Sequence, residues 1–253
     1  MRYARRLLRS RRMMLPSAAE AVDYNAALNS GLLHAWPFDA DYNDDKGSLD
    51  FTAYNSPSIN TTVKLIGTGS LETDYTAKSA VRNTTYGTIW GNNLVRSQVI
   101  WYRPQRSPDV GQTFTLFVDL RASNVARVQI YHQSNDNLGA IFARKAGGVN
   151  GLDSGAGTVN IGSWNMVYVC HDADNDQIIL NLNNGAATDS AAFDTTGIVD
   201  DVYAGQGIGM YHTGDTDWCD GYFDDTWMWN RPLTDAEINW LWNGGAGREL
   251  TIS

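Results

Sequence analysis

At 253 residues the chain has room for one large β-sandwich and requires no second domain. Hydrophobic residues make up 43% and charged residues only 19%, with Gly, Asn, Ser and Thr abundant, a mixture that disfavours long helices and suits many short strands joined by turns. The net charge of −9 is uneven: residues 1–15 hold six arginines and no acid, leaving 13 basic against 28 acidic side chains, or −15, on the remainder. A body so charged repels nucleic acid, and no nucleic-acid partner is expected for it.

The first stretch is the basic arm, with Arg2, Arg5, Arg6, Arg9, Arg11 and Arg12 as candidate anchoring residues. A helix through residues 1–15 ends at Pro16 and is marginal alone in water. Three uses are open to it: folding back on its own acidic body, docking on a neighbouring subunit or scaffold, or neutralising phosphates. No run of about 18 apolar residues occurs, so no membrane-spanning helix is expected. Ser10 to Leu15 resembles a twin-arginine export motif, but Pro16, Glu20 and Asp23 follow before any apolar stretch forms, and no cleaved signal is expected. Ser17-Ala18-Ala19-Glu20 reads as a capping box that opens a helix to about Asn29, with Gly31 closing it. Residues 1–30 are therefore read as arm and spacer, and 31–253 as one domain.

Leu32 to Asp39 begins the sandwich, with Pro37 marking an edge or a bulge. Further strands are expected near 50–54, 63–66, 87–90, 96–103, 112–121, 126–132, 139–144, 158–161, 164–171, 177–183, 205–211 and 221–229. That number and spacing indicate two packed antiparallel sheets. Asp172 to Asp176 opens like a calcium-binding EF-hand loop, but Gln177 and Asn183 stand where glycine and glutamate are needed, so it reads as a solvated hairpin turn. The glycines of Gly205-Gln206-Gly207-Ile208-Gly209 precede no helix and mark close backbone approach within a strand. Cys170 and Cys219 lie in strand-like runs and are too few for a disulfide framework; buried free thiols are the favoured reading over a bridge.

The closing stretch is the most informative. Tyr222 to Trp229 is an aromatic strand that stops at Asn230-Arg231-Pro232. Thr234 and Glu237 then form a capping box, Leu233 and Ile238 a hydrophobic staple, and Gly244-Gly245 ends the helix. Ile238, Leu241 and Trp242 fall on one helical face.

Strand, Asp224-Asp225, aromatic, Asn230-Arg231-Pro232-Leu233, capped helix and Gly-Gly resemble the last segment of laminin-G-like domains of the concanavalin A-like lectin/glucanase group. Leu32 to Asp39 is similar to the opening strand of that family. The hairpin from Trp164 through Gly185 is similar to its central one. The resemblance covers about residues 30–248 and implies an all-β, concanavalin A-like jelly-roll sandwich with a short C-terminal helix. It also implies a structural calcium ion, held partly by Asp224, which opens the last long strand, with Asp39 matching an acid after the first strand; the alternative is that both cap turns. Glycosidases of this group carry paired glutamates on one strand. Here Glu20, Glu72, Glu237 and Glu249 share no strand, and retaining hydrolysis needs carboxyls about 5 Å apart. No enzyme is expected.

A sugar site needs an aromatic platform beside amides and acids. His212, Asp215, Asp217 and Trp218 supply that chemistry in one loop, unless Trp218 belongs to the core. Virus and bacteriophage particles reuse this fold. The arm, the acidic body and the lack of a catalytic strand together point to a virion structural protein, a capsid decoration or fibre subunit at the virion surface. It would be anchored to other subunits of a homo-oligomer or larger assembly and would bind polysaccharide. A lectin-like module of a cell-surface or extracellular protein is the alternative.

Overall fold

The computed structural model describes residues 22–84, 89–90, 95–121, 126–143, 149–153, 158–172, 174–185, 188–189, 203–211 and 217–253. The basic arm and the box at 17–20 lie outside them. A short helix, α1 (Tyr24–Asn29), leads into β1 (Leu32–Trp36), β2 (Thr52–Tyr54), β3 (Ser58–Asn60), β4 (Ser70–Thr73) and β5 (Ala80–Asn83). Four longer strands follow: β6 (Arg96–Pro104), β7 (Thr113–Arg121), β8 (Ala126–Gln133) and β9 (Leu138–Ala143). The chain continues through β10 (Val149–Asp153), β11 (Asn165–Asp172), β12 (Gln177–Leu182), β13 (Thr188–Asp189), β14 (Tyr203–Ile208) and β15 (Gly221–Trp229) to α2 (Asp235–Trp242).

The strands form two antiparallel sheets. The first runs β13-β12-β11-β6-β15-β4-β3, with β1 also paired to β15; the second runs β10-β9-β8-β7-β14-β5-β2. Between them lies a core that includes Trp36, Phe51, Ile100, Tyr102, Phe114, Phe117, Val128, Phe142, Val169, Phe223 and Met228. A second apolar layer, with Leu28, Trp101, Tyr168, Trp227, Trp229, Ile238 and Leu241, covers the other face of the first sheet. There α1, α2 and the C-terminal segment take the place of solvent. The capping box of α2 forms as expected, with Thr234 accepting from the Glu237 amide and Glu237 accepting from that of Thr234.

Central strand β15 shows how one sequence serves both layers. Phe223 and Met228 both enter the inter-sheet core although they stand five positions apart, an odd spacing that strict alternation forbids. A bulge resolves this: the register with β6 shifts between Asp224 and Thr226, and Asp225 adopts φ 27°.

Other boundaries also move. α1 starts at Tyr24, because Asp23 is extended and its carboxylate caps the Ala26 amide; the expected helix does not include Val22. The helix packs as part of the body: Trp229 Nε1 donates to the Leu28 carbonyl at 2.6 Å, and Arg231 donates to those of Ala27 and Ser30. No strand forms at 63–66, because the amides of Leu65 and Ile66 donate to the Asp224 carboxylate in place of a neighbouring strand. At 158–161 the backbone instead bonds Asp136 and the Asn165 side chain and turns at Gly162. Residues 89–90 lie in a bend, and the rest of the strand expected at 87–90 falls outside the described residues.

Candidate functional site

The loop expected to hold a sugar is built differently. His212 and Asp215 fall outside the described residues. Asp217 is half-buried, and its carbonyl accepts from the Thr115 amide at 3.2 Å. Trp218 is only 1% exposed, packed with Ala80 and Met210. One indole face stacks on Tyr54 at 5.4 Å and 18°, and the Arg82 guanidinium covers the same tyrosine at 4.4 Å. The platform reading of Trp218 is corrected: a large ring next to a sheet lowers its free energy by burial, and this one has left no face for a ligand.

The two expected calcium ligands act as backbone caps. Asp224 Oδ2 accepts from the Leu65 and Ile66 amides at 2.6 and 3.0 Å. Asp39 Oδ1 accepts from the amides of Thr68 and Gly69 and from the Thr68 hydroxyl. The turn at 65–69 is thus clamped at both ends, tying the first strand region to the last through hydrogen bonds. Gly67, at φ 59°, lies where a Cβ would collide with the Asp39 carboxylate.

Beside this clamp lies a pocket of about 280 Å³ lined by Asp39, Asp45, Asp225 and Glu249, together with Pro37, Ile66 and residues 250–252. No basic side chain lines it among the described residues. Asp225, 5% exposed, has its pKa raised well above the carboxylate range by burial, then by the charges of Asp224, Asp39, Glu249 and Asp45. Burial pushes Asp224 up to about 7, against the pull of its amide donors, and its Oδ1 is buried without a partner. Its lining offers oxygen donors of the kind a hard cation takes. As the side chains stand, no three described carboxylates, imidazoles or thiols are close enough together to hold one.

A third feature escaped the sequence reading. Tyr24, Ala236, Asn239, Trp240, Asn243, Gly244 and Arg248 line an open basin of about 330 Å³ where α1, α2 and the C-terminal segment meet. The rings of Tyr24 and Trp240 lie 6.4 Å apart at 32°, and the Arg248 guanidinium sits 5.1 Å from the Trp240 ring centre. Local sequence explains the assembly. Asn243, Gly244, Gly245 and Gly247 all take positive φ, so the chain doubles back after α2 and returns Arg248 over Trp240. The available signal was Trp240 itself, a large aromatic off the Ile238, Leu241, Trp242 stripe.

The described glutamates stand apart. Glu72 on β4 accepts from the Tyr222 hydroxyl and from Ser58 and Asn60. Glu237 on α2 pairs with Arg231 at 2.6 Å, and Glu249 lines the acidic pocket. Asp172 caps its own hairpin turn through the amides of Asp174 and Asn175, as a solvated turn requires. Cys170 and Cys219 are free and buried, and burial pushes both thiols up to about 12.

The family profile described as the concanavalin A-like lectin/glucanase superfamily, of laminin-G type, matches residues 97–239, more than half of the chain. The chain belongs to that superfamily. Members share the two-sheet sandwich found here, and solved structures agree on the fold. The binding domain of Paraclostridial Mosquitocidal Protein 1 superposes with a TM-score of 0.70 at 13% identity, covering 86% of this chain and 53% of that one. The binding domain of botulinum neurotoxin DC in complex with SialylT gives 0.63 at 14% identity, covering 86% and 52%. The same toxin's binding domain in complex with rat synaptotagmin II gives 0.62 at 14%, covering 85% and 52%. The chain spans about half the length of these proteins. No curated protein sequence matches it.

Proposed function

We propose that this chain is a non-catalytic carbohydrate-recognition module. The observation that carries this reading is the basin between α1 and α2: two aromatic rings, two amides and one guanidinium around an open hollow. Aromatic faces cover the C–H face of a sugar, and amides and guanidinium exchange hydrogen bonds with its hydroxyls. Superfamily membership and the binding domains that share the fold support the same reading. The placing of described glutamates on separate elements supports recognition over hydrolysis. A glycan array of the full chain tests it. Selective retention that is lost in Tyr24→Ala and retained in Trp218→Phe is the expected result, and release of reducing sugar from any retained glycan refutes the non-catalytic part.

The finer reading concerns where the module sits. We propose that the arm of Arg2, Arg5, Arg6, Arg9, Arg11 and Arg12 anchors it to subunits of a larger or homo-oligomeric assembly, as a decoration or fibre protein at a virion surface. What supports this is the charge pattern, six cations on a short arm joined to a body of −15. A structural calcium ion at Asp39 and Asp224 is a further proposal; it requires their side chains and those of Asp45, Asp225 and Glu249 to move together, because as they stand no three described groups lie close enough to hold a metal. Such an ion would offset the repulsion among these carboxylates and hold the C-terminal segment against the first loop.

A further inference from the structure

We propose that the Tyr24, Trp240 and Arg248 basin takes a sugar that carries a carboxylate, a uronate-type residue, with Arg248 as its counter-ion. The inference rests on the carbohydrate-recognition reading and adds the class of sugar. Among the described residues Arg248 is the one charged side chain lining the basin, on a chain whose overall charge is −9. Arg231 is paired to Glu237, and Arg106 to Asp109 and Asp220. Arg248 has no carboxylate partner among the described residues, and its guanidinium lies only over Trp240.

Its position is fixed by the fold. The reversing turn after α2 delivers it, and beyond it the C-terminal segment is strapped to α1: Asn25 and Asn29 both donate to the Thr251 carbonyl, while the Thr251 and Ser253 amides donate back to their side chains. Consecutive residues of that segment serve different sites, Arg248 lining the basin and Glu249 the acidic pocket. A cation is thus presented on one side and the acids are kept on the other.

The remaining groups complete a sugar's needs. Asn239 uses its Oδ1 to accept from Asn184, which leaves its amide hydrogens for a ligand; Asn243 donates its Nδ2 to the Gly247 carbonyl, which leaves its Oδ1 as acceptor. The two rings supply an apolar wall. A guanidinium fork matches a carboxylate with two parallel hydrogen bonds, a geometry that a neutral hydroxymethyl group cannot reproduce.

The test is calorimetric titration of the full chain, wild type and Arg248→Gln, with trigalacturonate and with its neutral methyl ester. Loss of a charge-assisted hydrogen bond of this kind lowers affinity by about tenfold or more. Wild type should therefore prefer the acid over the ester by at least that factor, and Arg248→Gln should bind both as weakly as wild type binds the ester, with an unchanged melting temperature. Equal wild-type affinity for acid and ester overturns the carboxylate assignment and leaves sugar recognition standing. An acid preference that survives in Arg248→Gln also overturns it, because the arginine arm would then be the counter-ion. Binding of neither sugar overturns it too, and the glycan array then decides separately whether sugar recognition survives.

Discussion

Replacing Asp225 with asparagine isolates the acidic pocket. The side chain is buried on the bulge of β15, among Asp224, Asp39, Asp45 and Glu249, with no cationic side chain lining the space among the described residues. Both Asp224 and Asp225 have folded-state pKa values above the unfolded one, so the native state holds protons that the unfolded chain has already shed. Stability is then fully present below the ordinary carboxylate pKa, falls as pH rises toward the folded values, and is lost above them. For Asp224 the rise from 3.8 to about 7 corresponds to about 4 kcal/mol at most, shared with its neighbour because the two titrate together. The Asp225→Asn change removes one of the repelling charges. In chelator at pH 8 the variant should be more stable than wild type by about 1–3 kcal/mol, and at pH 4, where both side chains are neutral, the two should nearly coincide. Urea unfolding followed by tryptophan fluorescence at both pH values, with chelator and with calcium, gives the four comparisons. Calcium should stabilise wild type at pH 8 and leave the variant unmoved. A variant less stable than wild type at pH 8 in chelator would refute the repulsion argument.

Three other changes probe the scaffold and the arm. Trp218→Ala removes a ring stacked on Tyr54 and buried by Met210, and should cost about 3–5 kcal/mol in urea unfolding; a stable variant that merely loses glycan binding would reinstate the platform. Gly47→Ala puts a Cβ 2.5 Å from both the Asp44 carboxylate and the His34 ring and 2.7 Å from the Leu33 carbonyl, which should lower stability by about 1–3 kcal/mol. Deleting residues 1–15 should abolish co-sedimentation with the assembled particle while leaving the melting temperature of the body unchanged; full incorporation of the truncated chain would remove the arm from anchoring.

The architecture was largely legible because its signals are local and reinforce one another. β15 ends on its last aromatic, Trp229, and begins one residue before its first, Tyr222, and the capping box of α2 is written in Thr234 and Glu237. The short strands β3, β4 and β5 were not legible: three or four residues with few β-branched side chains give no alternation to read, and long-range pairing alone makes them strands. The same holds for the turn at 65–69, whose apolar residues look strand-like until carboxylates from two distant segments claim their amides. Asp39 and Asp224 were recognised as close partners, yet a bulge that no local pattern announces moved the pocket-facing role to Asp225. The basin was hidden for a similar reason. Tyr24, Trp240 and Arg248 come from three segments, and only the positive-φ run at 243–247 brings the last over the second.

A crystal structure of the full chain soaked with the oligosaccharide best retained on the array would locate the ligand outright. Sugar density against Tyr24 and Trp240, within hydrogen-bond distance of Asn239, Asn243 and Arg248, is the result expected. Density at the 212–218 loop instead, or an intact chain that leaves the sugar cleaved between two carboxylates, would contradict the reading of this protein as a binding module that works through the α1/α2 basin.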